Sequence, residues 1–242
     1  MLREFKAGVS FNSIARSTGI SRRSLSNWRA GHRPCRQPRG FREPVRPEDV
    51  VRWAPKEYSY LLGLYLGDGH LVEFQRDCWA LRVACDAAYP LIVEEARSAM
   101  LACRRRGKAS VRKVPDSNCL IVVSYSKAWP GLFPQHGRGR KHDRPIYLAP
   151  WQAELTKVYA RELVRGLIHS DGCRFTAKQL MGTRVYEYDR YSFVNHSEDI
   201  LRIVSQHLDL LGIEWTRSNW KTIQVARKEA VARLDTFVGP KR

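Results

Sequence analysis

One nine-residue pattern occurs twice in this chain. Residues 61–69 read LLGLYLGDG and residues 164–172 read VRGLIHSDG. Each copy is mostly apolar, has small residues four positions apart, and ends in Asp and Gly. Small residues with that spacing share one face of a helix and allow a second helix to approach closely. The pattern therefore predicts two helices packed face to face, with Asp68 and Asp171 brought together where the helices end.

The ends of these two helices have the chemistry of a cation site. A helix C-terminus has unpaired carbonyl groups and the negative end of the helix dipole. Two carboxylates beside such carbonyls form a set of hard oxygen ligands that suits Mg²⁺. Gly69 and Gly172 follow the two aspartates, and we expect them to take the left-handed conformation that commonly ends a helix.

The residues around each copy of the pattern predict the same order of elements. Residues 57–134 and residues 154–236 each predict helix, strand, strand, helix, strand, strand and helix. The strands are predicted from alternating apolar side chains such as Leu81, Val83 and Cys85. A single helix is expected over residues 154–171. A repeat of this length indicates a duplicated subdomain rather than a solenoid.

The charge of the chain indicates a polyanionic partner. Lys and Arg number 42 against 24 Asp and Glu in 242 residues, which gives a net charge of +18. A basic surface gains affinity for nucleic acid by releasing counterions from the phosphates.

The six cysteines contain no C-x-x-C pair, so a zinc ribbon is not expected. No apolar run approaches the length of a membrane span, and the first residues have no apolar signal-peptide core, so we expect a cytoplasmic, nucleoid-associated protein.

Residues 1–32 are predicted to be a small helical unit that resembles a helix-turn-helix. Gly19 would permit the tight turn, and Ile14, Ile20 and Leu25 would supply apolar contacts between the helices. Half of the net charge lies in residues 1–56. The prolines of residues 33–55 predict an extended linker. On the second helix, four side chains would face the major groove of DNA: Arg22, Arg23, Ser26 and Asn27.

The two glycine–aspartate patterns and the order of elements after each resemble the LAGLIDADG homing endonucleases over about residues 57–242. The resemblance implies an α+β fold of two pseudo-symmetric αββαββα subdomains, residues 56–150 and 151–242, which together form a DNA-binding β-saddle. Both motifs lie in one chain, as in the members of the family that act as monomers. The first acidic position of the motif holds Leu66 in one copy and His169 in the other, and Arg165 replaces a small or apolar residue. We expect packing or solvated roles for His169, and we expect Arg165 to face away from the helix pair.

The resemblance also implies the residues of a nuclease site. Asp68 and Asp171 would be the catalytic, metal-binding acids, and the carbonyls of Gly67 and Ser170 would be further ligands. Each half ends in a glycine-rich basic segment, where members of the family often carry a lysine, and Lys141 and Lys241 occupy these places. Such lysines would stabilise a charged phosphate or polarise the attacking water. Plain phosphate contact is an equal alternative for both.

The favoured function is site-specific, Mg²⁺-dependent cleavage of double-stranded DNA by a monomer, with Mn²⁺ able to replace Mg²⁺. One alternative is a non-catalytic DNA-binding transcriptional regulator on the same fold, which the helix-turn-helix favours. Another is an RNA-binding maturase, so RNA stays open as a partner. Retention of both aspartates argues for the nuclease.

Overall fold

A computed structural model describes residues 10–29, 45–105, 107–239 and 241 of the chain. These residues belong to two compact units, Met1–Glu43 and Pro44–Arg242. Within the described residues, none of the helices is both long enough and apolar enough to cross a membrane.

The N-terminal unit contains two short helices, α1 (Phe11–Thr18) and α2 (Arg22–Arg29). Gly19 has φ of 68°, in the left-handed region, and its amide N–H donates to the Ala15 carbonyl at the end of α1. A residue with a Cβ is disfavoured in this conformation, so glycine permits the tight turn between the helices. Ile14 and Leu25 are buried between the two helices, as predicted. The predicted residues 1–9 and 30–32 lie outside the described part of the chain.

The second unit contains the two repeats. In the first repeat the elements are α3 (Pro47–Trp53), α4 (Pro55–Asp68), β1 (Gly69–Glu73), β2 (Trp79–Asp86), α5 (Pro90–Arg104), β3 (Ala109–Lys113), β4 (Cys119–Ser126) and α6 (Trp129–Leu132), followed by a 3-10 turn at Lys141–Asp143. In the second repeat they are α7 (Pro150–Val158), α8 (Ala160–Asp171), β5 (Gly172–Met181), β6 (Arg184–Val194), α9 (Glu198–Leu210), β7 (Thr216–Asn219), β8 (Thr222–Val225) and α10 (Lys228–Asp235).

The two sheets have the same topology, which confirms the α+β fold of two αββαββα repeats. The strand orders are β1-β2-β4-β3 and β5-β6-β8-β7, and all neighbouring strands are antiparallel. Helices cover one face of each sheet, where Leu81, Val83, Tyr191 and Phe193 are buried. Because side chains alternate along a strand, the other face of each sheet carries the intervening residues.

The prediction for the start of the first repeat and the prediction for the start of the second repeat were both wrong. Residues 33–55 were expected to be extended, but Pro47–Trp53 form a helix whose Val50 is fully buried. Proline is favourable at the first position of a helix, where no amide donor is needed, so prolines there do not exclude helix. The single helix expected over residues 154–171 is two helices, separated by Tyr159 with ψ of 44°. Ala54 separates α3 from α4 in the same way, with ψ of 46°.

Candidate active site at the ends of the paired helices

Helices α4 and α8 pack against each other at the centre of the second unit, through the glycines that the repeated pattern predicted. A Cβ added to Gly63 would lie 2.7 Å from the Leu167 amide nitrogen. A Cβ added to Gly166 would lie 3.0 Å from the Gly63 Cα atom and closer still to the Tyr60 carbonyl. Real Cβ atoms do not approach backbone this closely, so only glycine fits at either position.

The glycines that follow the aspartates do not adopt the left-handed conformation that we expected. Gly69 has φ of −93° and Gly172 has φ of −102°, and both are extended. Their importance is steric. A Cβ on Gly172 would lie 2.7 Å from the Cα atom of Ile168, and a Cβ on Gly69 would be closer still to Tyr65 Cα. Glycine therefore lets each chain turn sharply from the motif helix into the first strand of its sheet.

Asp68 and Asp171, the last residues of α4 and α8, lie close together at the junction of the two repeats. Desolvation and the charge of Asp171 raise the pKa of Asp68 to about 6, while Lys141 and Lys241 act in the opposite direction. Asp68 is nevertheless solvent exposed. Desolvation also raises the pKa of Asp171, against the effect of a hydrogen bond from Asn195 and of the two lysines. Two crowded carboxylates that solvent can reach favour the binding of a cation.

The two lysines that the resemblance indicated both reach the ends of the motif helices. Lys141 Nζ donates to the carbonyl oxygens of Tyr65 at 2.5 Å, Leu66 at 2.9 Å and Gly67 at 2.5 Å. Lys241 Nζ lies 3.2 Å from the Ser170 carbonyl oxygen. Burial lowers the pKa of Lys141 to about 8, although both aspartates raise it. Burial also lowers the pKa of Lys241. The carbonyls of Gly67 and Ser170 thus face the ammonium groups of Lys141 and Lys241.

Asn195 is a site residue that the sequence did not reveal. It follows β6, and its Nδ2 donates to Asp171 Oδ2 at 2.6 Å. In the first repeat the corresponding residue is Cys85: Gly69 pairs with Val83 and Gly172 pairs with Phe193, and Cys85 and Asn195 each lie two residues farther along the strand direction. The first repeat therefore has a buried cysteine near Asp68 where the second has an amide donor to its aspartate. The only local signal was an Asn two residues before a helix N-cap, which is common in loops.

His169 is a buried structural residue, consistent with the packing role expected for it. Its Nδ1 lies 2.9 Å from the Tyr60 hydroxyl and its Nε2 lies 3.0 Å from the Val238 carbonyl oxygen. Burial and the nearby Arg165 lower the pKa of His169 to about 4, so its ring is neutral at pH 7. The expectation that Arg165 faces away from the helix pair was wrong. Its guanidinium lies 4.9 Å from the Tyr60 ring of α4 and forms an ion pair with Glu95.

The candidate site fits a hard divalent cation. The described residues contain no cluster of three or more His, Cys, Asp and Glu side chains, so a cation at Asp68 and Asp171 would complete its ligands with water or main-chain oxygens. The Gly67 and Ser170 carbonyls already accept hydrogen bonds from ammonium groups. Carboxylate and carbonyl oxygens are the ligands that Mg²⁺ and Mn²⁺ take in proteins.

The open face of each sheet is basic, whereas the acidic residues of the long β5–β6 hairpin face the helices. On the helix side, Arg174 pairs with Asp189 and Asp235, and Lys178 pairs with Glu187. Strand alternation places another set on the open side: Gln179, Arg184, Tyr186, Tyr188 and Arg190. On the open side of the first sheet, alternation places His70, Arg82, Arg112 and Tyr125.

This fold is that of the LAGLIDADG homing endonucleases. A mesophilic variant of the homing endonuclease I-DmoI matches with a TM-score of 0.50 and 14% identity, over 76% of this chain and 96% of that chain. I-DmoI in complex with DNA and Mn matches with a TM-score of 0.48 and 16% identity, over 78% and 98%. The N-terminal LAGLIDADG domain of DUF199/WhiA matches with a TM-score of 0.45 and 12% identity, over 81% and 89%. No protein-family model and no curated protein matches the sequence.

Proposed function

We propose that this protein is a site-specific endonuclease that cleaves double-stranded DNA with the help of a divalent cation. The observation that carries the proposal is the meeting of two aspartates and two lysines at the ends of the paired helices. This set lies between two sheets whose open faces are basic. The fold, which this chain shares with the homing endonuclease I-DmoI, supports the same class of activity here.

Asp68 and Asp171 would hold the cation, and the carbonyl oxygens of Gly67 and Ser170 would join them where the Lys141 and Lys241 ammonium groups move off these carbonyls. When bound, a divalent cation supplies Lewis acidity: it lowers the pKa of a water molecule and offsets charge on the scissile phosphate. We propose Mg²⁺ as the cation, with Mn²⁺ able to replace it.

Lys141 and Lys241 would act on the charge that develops at the phosphate. Lys241 donates to one carbonyl and would keep N–H groups for the phosphorane oxygens, whereas Lys141, which donates to three carbonyls, would stabilise that charge through its own positive charge. The pKa of Lys141, lowered to about 8, also lets its Nζ exchange a proton with the attacking water or the leaving oxygen near neutral pH. Asn195 would keep the Asp171 carboxylate in one orientation by donating to its Oδ2.

The two open faces would hold the DNA. Arg190 lies in the middle of β6, and its Nε is buried without a hydrogen-bond partner among the described residues. A phosphate or a base edge would satisfy this donor.

Both acids come from one chain, so we propose that the protein acts as a monomer. In the N-terminal unit, we propose that Arg22, Arg23, Ser26 and Asn27 contact DNA next to the cleavage site. The first three side chains are exposed, and the Asn27 side chain lies outside the described residues.

The test is cleavage of a randomised duplex library in Mg²⁺, followed by sequencing of the cut ends. We expect one family of related sites, cut in both strands. Asp68→Asn and Asp171→Asn should still bind the recovered site but lose double-strand cleavage. Glu154→Gln, at an exposed acid on α7, is the matched control and should cut normally.

Two results would contradict the proposal. Cleavage by the Asp68→Asn, Asp171→Asn double variant would exclude these acids. Tight binding of a duplex without cleavage in Mg²⁺ or Mn²⁺ would indicate a DNA-binding regulator, and preference for structured RNA over the duplex would indicate a maturase.

A further inference from the structure

The segment after α10 carries Lys241, and its described residues contact α8 through Phe237, Val238 and Lys241. The Val238 amide N–H donates to the Leu234 carbonyl at 2.8 Å and ends the helix, and the Val238 side chain is buried. Gly239 then has φ of 70°. At the end of the segment, Lys241 reaches the Ser170 carbonyl. Val238 thus lies three residues before this ammonium and is the nearest described residue before it that hydrogen-bonds to α8.

A histidine of the motif helix fixes the backbone at Val238. The Val238 carbonyl oxygen can only accept a hydrogen bond, so the proton of the neutral ring lies on His169 Nε2, 3.0 Å away. The other ring nitrogen, Nδ1, is then an acceptor, and it lies 2.9 Å from the Tyr60 hydroxyl, which also faces the Glu95 carboxylate. Tyr60 belongs to α4 and His169 to α8, so this chain of hydrogen bonds joins both motif helices to the C-terminal segment.

The first repeat has no counterpart of this arrangement among its described residues. Leu66 holds the position that corresponds to His169, and it is fully buried. Lys141 instead donates to three carbonyls of α4 and begins a 3-10 turn. Lys241 donates to one carbonyl, at a longer distance of 3.2 Å. The two lysines thus occupy similar places but are fixed by different contacts.

We propose that His169 is a positioning residue for Lys241: through its hydrogen bond to the Val238 carbonyl, it holds the C-terminal segment so that the ammonium stays at the end of α8. Tyr60 supports it by selecting the tautomer that donates from Nε2. The effect on catalysis rests on the proposed nuclease function, but the effect on the position of Lys241 does not.

The first test needs no DNA. Lysines of the whole protein are acetylated with a limiting amount of acetic anhydride, and the relative reaction rates are measured by mass spectrometry. His169→Leu should raise the rate of Lys241 about fivefold or more and leave Lys141 unchanged as an internal control. His169→Gln retains an N–H donor of similar reach and should restore the lower rate. Tyr60→Phe should give an intermediate value.

Leu66 is buried at the corresponding position of α4, so the helix pair should accommodate leucine in the His169→Leu variant. Hydrogen exchange of peptides that cover residues 236–241 should increase in His169→Leu, while exchange in α4 and α8 stays as in the original protein. Unchanged reactivity of Lys241 together with unchanged exchange in residues 236–241 would overturn the proposal. Faster exchange throughout both motif helices would also overturn it, because His169 would then be a general packing residue.

The second test compares the cleavage rates of the two DNA strands, because loss of Lys241 positioning should slow one strand, whereas a general packing defect should slow both. On a duplex recovered from the library, His169→Leu should slow the cutting of one strand, the same strand that Lys241→Met slows. The double variant should be no slower than Lys241→Met, and His169→Gln should recover the rate. Equal slowing of both strands would contradict the proposal. If the unaltered protein cuts no duplex at all, the nuclease function fails, while acetylation and hydrogen exchange still decide the role of His169.

Discussion

Gly63 and Gly166 face each other across the central helix pair, and a Cβ on Gly166 would lie 3.0 Å from the Gly63 Cα atom. We expect Gly63→Ala and Gly166→Ala to destabilise the protein, even though alanine has the higher helix propensity. Overpacking costs about 1–3 kcal/mol per position, since the helices must move apart. Gly131→Ala is the matched control, because a Cβ there meets nothing within 4 Å. Thermal unfolding measures the difference, and equal melting temperatures for all three variants would refute the close contact.

Asp68→Asn should raise the melting temperature of the metal-free protein at pH 8 and change it much less at pH 4. The pKa of this carboxyl is raised from 3.8 to about 6 in the folded protein, so the folded state binds its proton more tightly than the unfolded state. Stability is therefore lost as the pH rises from about 4 to 6, and asparagine avoids that loss. The difference should be small, because solvent reaches the carboxylate. A lower melting temperature of the variant at pH 8 would contradict the sign.

Asn195→Ala should make the two strands cleave at unequal rates. The variant leaves the Asp171 carboxylate without its amide donor and does not touch Asp68. We expect nicked duplex to accumulate, with the slow strand the one that Asp171 serves. Gel separation of strands labelled at each end measures this. Equal slowing of both strands would show that Asn195 acts on the whole site rather than on Asp171.

The long hairpin of β5 and β6 should extend the DNA contact at one end only. In β6, Tyr191–Val194 pair with β8, whereas residues 184–190 pair with β5 alone. At about 3.3 Å per residue, this free part projects roughly 20 Å beyond the sheet. All residues of β2, in contrast, pair with β4. We expect a footprint that reaches farther from the cleavage site on the side of the second repeat.

Substitutions on the two faces of this hairpin test that expectation. Combined Arg184→Ala, Tyr186→Ala and Tyr188→Ala should remove protection at the far end of the footprint and weaken binding about tenfold, or ~1.4 kcal/mol. Lys178→Ala with Glu187→Ala removes an exposed ion pair on the opposite face and is the control. The same loss of protection in both variants would show that the open face does not read DNA.

Removal of the N-terminal unit should weaken DNA binding mainly through electrostatics. The cut belongs after Glu43, because α3 places Val50 in the core of the second unit. The slope of log affinity against log salt should become shallower by roughly one for each DNA phosphate that the unit neutralises in the full-length protein. Arg22→Ala with Arg23→Ala should reproduce part of this change without the deletion. Identical slopes and footprints for the full and shortened proteins would exclude a DNA contact by α1 and α2.

The parts of the structure that local pattern determines were predictable. Glycine spacing predicted the contact of Gly63 with Gly166, and alternation of apolar residues predicted the order of elements in both repeats. Asn195 was not predictable, because its contact with Asp171 depends on how β6 returns past the end of α8. Gly69 was identified for the wrong reason: the sequence cannot distinguish a glycine required by backbone angle from one required by lack of space. Pro47 was misread for a similar reason, since proline begins helices as well as interrupting them.

The ammonium of Lys141 gives the crowded helix ends an internal counter-ion. It satisfies three carbonyls of α4 and offsets the charges of Asp68 and Asp171 within the same chain. Assembly of the helix pair is therefore uncoupled from the supply of metal, in contrast to small domains that fold only around zinc. A protein stripped with a chelator should therefore keep its fold, and under the proposed function it should still bind DNA, with cleavage of the bound duplex beginning when a divalent cation is added.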